Sequence, residues 1–189
     1  RTSIISGRLL ENIKGQIHKF DVFYGWAAFF VKIKQMLLKN CDDIYETPLN
    51  LQLRLLGNPK STLNIIPADY AAKASIEIMS LKDTQFNSFH LVNPNEKHVI
   101  SPILDYLNIT GYDFVEQMPD KLNKIESFYY KSVGNIFTPY MHNAGEMLFD
   151  NNSLVKSISS EMACPTICDN NFTTLMDFAK ENHFGLRNN

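Results

Sequence analysis

Residues 64–74 read Asn64-Ile65-Ile66-Pro67-Ala68-Asp69-Tyr70-Ala71-Ala72-Lys73-Ala74, and this stretch decides the fold. A short apolar run ends at a proline whose fixed φ suits the first turn of a helix. A strand feeding directly into a helix is the building unit of an α/β protein. Along that helix Ala68, Ala71, Ala72, Ser75 and Met79 share one face, and the small side chains predict close approach to a sheet. Asp69, Lys73 and Glu77 share the opposite face at i, i+4 spacing, where each favourable pair is worth ~0.2–0.5 kcal/mol. Asp69 also meets the unsatisfied amides and positive dipole end of the first turn. Both effects favour its ionised form, which predicts a lowered pKa and a structural role.

Working outward, Arg1 to Ser6 is a short strand closed by Gly7, and the residues after it are mixed and polar, as in a loop. Asp21 is placed to cap a helix running to about Lys39, apolar all round in its first half and so either buried or a wall facing a ligand. Asn50 to Leu56 alternates, Leu51, Leu53 and Leu55 against Gln52 and Arg54, and Gly57-Asn58-Pro59-Lys60 turns the chain so that Thr62 to Ile66 returns as a strand. Phe86 to Val92 reads as another strand, stopped by Asn93-Pro94-Asn95. A helix follows over 101–108, a strand over 112–116 and a helix over 121–132. Phe149-Asp150-Asn151-Asn152 turns into a short helix. The last helix spans 170–182 and buries Phe172, Leu175, Met176 and Ala179, with Gly185 after its end. With no internal repeat or evident linker, the expectation is one compact α/β unit.

Composition removes several function classes. The 189 residues carry a net charge of −2, with no basic run of the kind nucleic-acid binding demands. The apolar run from Val22 to Val31 is short of the ~20 residues of a spanning helix. Cys41, Cys164 and Cys168 form neither a disulfide framework nor a zinc-finger spacing, so the thiols read as reduced, the location as cytoplasmic and the metal as none. No pair among the eight glycines, Gly7, Gly15, Gly25, Gly57, Gly111, Gly134, Gly145 and Gly185, opens a G-x-G-x-x-G turn or a P-loop. No Gly-x-Ser-x-Gly elbow accompanies a histidine. Tyr70 and Lys73, three apart, come nearest to a proton-transfer pair, and Lys73 is better read as the surface partner of Asp69. No catalytic residue is therefore assigned. His90, inside an alternating strand, reads as a satisfied structural histidine. His142, in the aromatic segment Thr138-Pro139-Tyr140-Met141-His142, is either a pocket residue or a plain loop histidine.

Four segments, in order, resemble the extended short-chain dehydrogenase/reductases. Arg1-Thr2-Ser3-Ile4-Ile5-Ser6-Gly7 resembles the Arg-Pro-Ser-Ile-Val-x-Gly strand and loop that follow the family's catalytic Tyr/Lys helix. Residues 64–74 look like its strand and Val-Asp-x-Val-Ala-x-Ala helix, and Phe89-His90-Leu91-Val92-Asn93-Pro94 resembles its late sheet strand ending in Asn. Phe149-Asp150-Asn151 and the closing helix look like the tail of the fatty acyl-CoA reductase and thioester reductase branch. Thr2 stands where Pro is usual and Ala68 where Val is frequent.

The resemblance implies an α/β fold made of the C-terminal portion of a Rossmann-like parallel sheet plus a small α+β substrate-binding subdomain. Residues 1–189 would be a single substrate-binding or lid region, with the nucleotide-binding half absent. It further implies NAD or NADP in the full-length parent and none on this chain alone, hydride transfer to a carbonyl, thioester or sugar carbon, and a small-molecule substrate. Thr2, Ser3 and Ile4 would approach the nicotinamide. Gly7 and the apolar helix with Tyr24 and Trp26 would wall the substrate, with His142 as a further candidate. Because the chain opens on Arg1 in mid-strand, the expectation is that a half carrying the glycine-rich turn precedes it, and that the uncovered sheet edge drives self-association. Two rival readings are a ligand-binding module without chemistry and an interaction domain that kept only the scaffold; both expect the gene to start near Arg1.

Overall fold

The computed structural model describes residues 1–39, 43–142, 149–159 and 162–186. Its elements in chain order begin with β1 (Ile4–Ser6), α1 (Phe23–Leu37), β2 (Leu49–Leu56), β3 (Ile65–Pro67), α2 (Ala68–Ser80), α3 (Ile100–Tyr106) and β4 (Ile109–Val115). There follow α4 (Lys124–Tyr129), a π-helical turn (Tyr130–Gly134), α5 (Asn135–His142), α6 (Asn152–Val155), α7 (Asp169–Glu181) and a 3-10 turn (His183–Gly185). The α/β class is as expected. The single compact unit is not: the chain divides into two, one from Arg1–Lys19, Leu63–Lys97 and Leu148–Asn182, the other from Phe20–Thr62, His98–Met147 and His183–Asn189. The residues around 19–20, 62–63 and 97–98, where the chain passes between units, are of ordinary composition, so no linker marks these crossings in the sequence.

In the first unit β1 pairs in parallel with β3, Ile4 opposite Ile65 and Ser6 opposite Pro67, and Thr2 adds a parallel bridge to Leu91. Parallel partners need a long crossover, and here it is the whole segment between Gly7 and Asn64. The strand expected over 62–66 is therefore not the return arm of β2; it starts at Ile65 and pairs with β1 instead. The strand expected over 86–92 shrinks to the bridge at Leu91, because Asn87 and Ser88 are exposed and offer no apolar face to bury. Ile66, Tyr70, Ala71, Ala74, Leu91 and Leu154 form the core cluster. The buried face of α2 is thus that of Tyr70, Ala71 and Ala74, while Met79, expected on the sheet side, is 83% exposed. Helix α7 buries the four residues its periodicity names.

In the second unit β2 pairs in parallel with β4, and its alternation holds: Leu51, Leu53 and Leu55 are buried. Helix α1 is buried nearly all round. Its start differs from expectation. Val22 occupies the N-cap position with no side-chain cap, and Asp21 contributes its carbonyl, which accepts from Tyr24 N–H at 3.1 Å. Even the charged Lys34 is enclosed, its Nζ donating to the carbonyls of Leu107 and Tyr45. The helix expected over 121–132 continues through the π turn to His142, a continuation that Gly134 and Pro139 hide from a propensity reading. No helix among the described residues is long and apolar enough to cross a membrane.

Candidate functional site

The C-terminal end of β1 leads into the most constrained loop of the first unit. Gly7 is required there by close approach: a Cβ on it would lie 2.1 Å from the carbonyl oxygen of Gly15. The loop closes on itself through Gly15 N–H to Arg8 O at 2.7 Å and Arg8 N–H to Gln16 O at 3.1 Å. Its outer turn then wraps one carboxylate. The N–H groups of Leu10 and Glu11 donate to Asp69 Oδ2 at 2.7 and 2.8 Å, and Leu9 N–H reaches both carboxylate oxygens at 3.2 Å. Tyr70 N–H adds a bond to Oδ1 at 3.0 Å. Burial opposes ionisation, but the donors of Glu11, Leu10, Leu9 and Tyr70 together outweigh it, and the carboxyl titrates below its ordinary 3.8. The lowered pKa expected of Asp69 is therefore found, with a different cause. Lys73 leans instead on Glu11, at 2.7 Å.

Beside this loop lies a groove of about 370 Å³ floored by Ala68 and Ala72 and flanked by Arg8, Glu11, Lys73 and Ile76. Its chemistry is that of binding rather than proton transfer. The Asp69 carboxylate is committed to backbone donors. Tyr70 is 3% exposed, and burial, with a smaller contribution from nearby Cys164, pushes its phenol up to about 12, out of reach of acid–base work near neutral pH. Lys73 is held protonated by its hydrogen bond to Glu11.

Thr2, Ser3 and Ile4 run into β1, Thr2 in an isolated bridge to Leu91 and Ile4 as the strand's first residue. Ser3 N–H donates to Leu91 O at 3.0 Å and Ile4 N–H to Asn64 O at 3.2 Å, while the Ser3 hydroxyl also donates to Asn64 O. Asn64 in turn belongs to a buried network with Asn93: its side-chain amide donates to Asn93 O and accepts from Asn93 N–H, both at 2.9 Å, while Asn93 Nδ2 donates to the carbonyls of Ile65 and Pro165 at 3.0 Å. The chain's amide-rich turn does not fit a cofactor's pyrophosphate: the N–H groups of Leu9, Leu10 and Glu11, which would cradle an anion, already hold Asp69.

In the second unit Tyr24 is 0% and Trp26 2% exposed. Trp26 Nε1 donates to Tyr129 Oη at 3.2 Å, and its ring meets Phe30 edge-on at 4.7 Å between centroids. Side chains so enclosed meet a ligand only when their neighbours move. His142 ends α5, not a loop, and is exposed. His90 Nδ1 stands 3.1 Å from Asp150 O. Cys164, half-buried, has its thiol pushed up to about 12 by burial, Cys168 is exposed at the start of α7, and Cys41 lies outside the described residues. Among the described residues no three His, Cys, Asp or Glu side chains gather as a metal ion requires.

The sequence reading missed the loop donors around Asp69 and the Arg8–Glu11–Lys73 groove. It also missed a second buried carboxylate, Glu126 of α4, held by Arg54 Nε at 2.7 Å and Nη2 at 2.8 Å. Only that last had a signal: Asn123 and Glu126 stand at capping-box spacing, and both reciprocal bonds form.

No protein-family model and no curated protein matches this sequence. Among solved structures the fold is similar to the terminal R domain from the myxalamid PKS-NRPS biosynthetic pathway. That alignment has a TM-score of 0.60 and 13% identity, covering 97% of this chain and 44% of that one. RMD from Pseudomonas aeruginosa complexed with NADPH aligns at a TM-score of 0.46 and 11% identity, covering 96% and 48%. The chain spans less than half the length of either. The first likeness shows a shared fold.

Proposed function

We propose that this chain is the C-terminal, substrate-covering part of an NAD(P)-dependent reductase of the extended short-chain dehydrogenase/reductase kind. The observation that supports the reading is the near-complete coverage of this chain, 97%, by part of the terminal R domain from the myxalamid PKS-NRPS biosynthetic pathway at a TM-score of 0.60. The order of the four family-like segments supports the same placement. Carbonyl, thioester and sugar-nucleotide substrates all suit it, and the tail segment 149–151 favours the thioester class.

In this reading the chain binds and encloses substrate while hydride and proton donors come from elsewhere in a longer protein. Its own groove offers no free acid or base, since Asp69 and Tyr70 are both committed. Thr2, Ser3 and Ile4 are the residues assigned to the nicotinamide side, and Gly7 to the turn facing the substrate. In the second unit Tyr24, Trp26 and His142 are assigned to substrate contact. The rim of the β1–β3 sheet, where Ile5 is 43% exposed, is assigned to self-association, and sedimentation that stays monomeric at raised concentration overturns that assignment.

The test has two arms. A longer protein containing this chain, together with a glycine-rich turn and a Tyr-x-x-x-Lys pair, should oxidise NADPH when given an acyl thioester or an aldehyde. No turnover with any of the three substrate classes overturns the reading. The 189 residues alone should show no binding of NADH or NADPH in calorimetry, because the phosphate-cradling turn is missing. Micromolar affinity there overturns the assignment of the cofactor site to other parts of the protein.

A further inference from the structure

In the second unit the strand β2 has two edges, and among the described residues only one of them is taken by a strand, β4. Gly57 N–H donates to Val115 O at 2.9 Å. Odd-numbered residues at this end of β2 therefore aim their backbone groups at β4, and even-numbered ones aim away, since strand directions alternate. The away-facing groups meet no strand among the described residues. They meet one face of α4 and the turn after it.

Gln52 O accepts from Asn123 Nδ2 at 2.8 Å, and Arg54 N–H donates to Glu126 Oε1 at 3.1 Å. Tyr130 Oη fills two places together, donating to Arg54 O at 2.7 Å and accepting from Leu56 N–H at 2.9 Å. Asn58 N–H donates to Met141 O at 2.7 Å, a carbonyl of the last described turn of α5. Close approach there needs Gly57, where a Cβ would stand 2.6 Å from that of Met141. Asn123, Glu126 and Tyr130 are spaced three and four apart, which puts them on one helical face. The helix continues through the π turn into α5, and the Met141 carbonyl stands at the end of the row.

We infer that the segment from Asn123 to Met141 is a surrogate strand, a helical guard that satisfies the outer edge of β2 group by group and keeps that edge from pairing with another chain. An unguarded edge is a template for strand addition. The partner it fits is an extended segment of a second copy of this chain. Gln52, at a break in the β2–β4 register and with φ of 46°, turns its carbonyl out to the guard's first residue, so the bulge belongs to the same device. The inference is independent of the proposed reductase function.

Tyr130→Phe tests it by removing one hydroxyl and nothing else. Site-resolved hydrogen exchange should quicken at the Leu56 amide by about fivefold to tenfold, the factor for one ordinary hydrogen bond, while the β4-facing Gly57 amide is unmoved. The double variant Glu126→Gln/Tyr130→Phe, folded by Trp26 fluorescence, should show a concentration-dependent dimer in sedimentation beyond any shown by the parent. A folded double variant that sediments like the parent overturns the inference. Should the double variant not fold, Tyr130→Phe decides alone: unchanged exchange at Leu56 overturns the guard, and selective quickening supports it.

Discussion

Asp69 in the first unit and Glu126 in the second are both buried carboxylates, and both titrate below their ordinary values, yet they are held in different ways. Asp69 is ringed by neutral backbone N–H groups from a loop some sixty residues upstream in sequence. Glu126 is held chiefly by the Arg54 guanidinium, then by the N–H groups of Asn123 and Arg54, and its pKa falls to about 2. A helix first turn favours an anion in either case. The second partner differs: a loop that must be folded around the carboxylate, against a charged side chain that reaches it. The first arrangement makes the carboxylate the organiser of a loop. The second makes it a clasp between a helix and a strand.

The largest expected effect follows from the loop. Asp69→Ala strips the charged acceptor from three loop amides, and hydrogen bonds to charged groups are worth ~1.5–3 kcal/mol each before relaxation. A loss of about 3 kcal/mol is expected. It should be accompanied by fast exchange at the Leu10 and Glu11 amides. Dipole and ion-pair effects alone would give ~0.5–1 kcal/mol for Asp69→Asn; the loop donors raise that expectation to about 2 kcal/mol. A cost below about 1 kcal/mol for the alanine variant would show that water replaces the carboxylate without penalty. The comparison would then break on the first unit's side. Because the acid is spent on structure, Asp69→Asn in a longer, active protein should leave turnover nearly intact.

Next comes acid. Both native pKa values lie below those of the unfolded chain, so each contribution is full above the unfolded value and is lost as pH falls through the native one. For Glu126 that window opens at its ordinary 4.5 and closes at about 2. For Asp69 it opens lower, at 3.8. Trp26 is the single tryptophan and sits in the second unit, bonded to Tyr129 of the same helix as Glu126. Its fluorescence-detected unfolding should therefore weaken as pH drops below 4.5, ahead of exchange at Leu10 and Glu11. Glu126→Gln should cost about 2 kcal/mol at neutral pH, discounted for the half-exposed Arg54, and should flatten this acid slope. An unaltered slope in that variant would assign the acid sensitivity to other groups.

Salt sharpens the contrast with a smaller effect. About 1 M sodium chloride shortens the screening length to about 3 Å, and Arg54 is 42% exposed. The second unit's midpoint in urea should fall slightly more than in Glu126→Gln, while exchange at the Leu10 and Glu11 amides, which bond Asp69 as neutral backbone donors, should change less. Equal salt sensitivity in the two units would remove the distinction.

The two regions also differ in how much of them the sequence revealed. The alternation of Leu51, Leu53 and Leu55 and the face of Phe172, Leu175, Met176 and Ala179 were legible because burial imposes a period that survives in composition. The turn from Ile66 through Pro67 into α2 was legible because proline restricts one torsion. The pairing of β1 with β3 follows from neither signal and rests on a crossover of nearly sixty residues, which a local pattern does not record. The loop around Asp69 escaped because its donors are backbone amides, and any residue type supplies those. Helix α5 escaped because Thr138 and Pro139 lower its propensity, while Met141, 1% exposed, anchors it through tertiary packing. Tyr24 and Trp26 lie on a helix surface that is apolar all round, which suits a substrate wall and a buried core helix alike, so the sequence does not choose between them.

The smallest effect concerns Lys73, the residue that the helical spacing assigned to Asp69. Its ammonium bonds Glu11 at 2.7 Å, and both side chains are about half exposed, at 47% and 49%. Exposed pairs of this kind contribute little, because water solvates either ion nearly as well as its partner does and two long side chains lose freedom in meeting. Lys73→Met keeps most of the aliphatic stem over Ala72 and Ile76 while deleting the charge. The denaturation midpoint should stay within experimental error of the parent, and the Leu10 and Glu11 amides should exchange as before, since Asp69 holds them without help from Lys73. If instead Lys73→Met loosens those amides as strongly as Asp69→Ala does, the ammonium is part of the carboxylate's cage. The first unit's clasp would then be charged after all, like the second's.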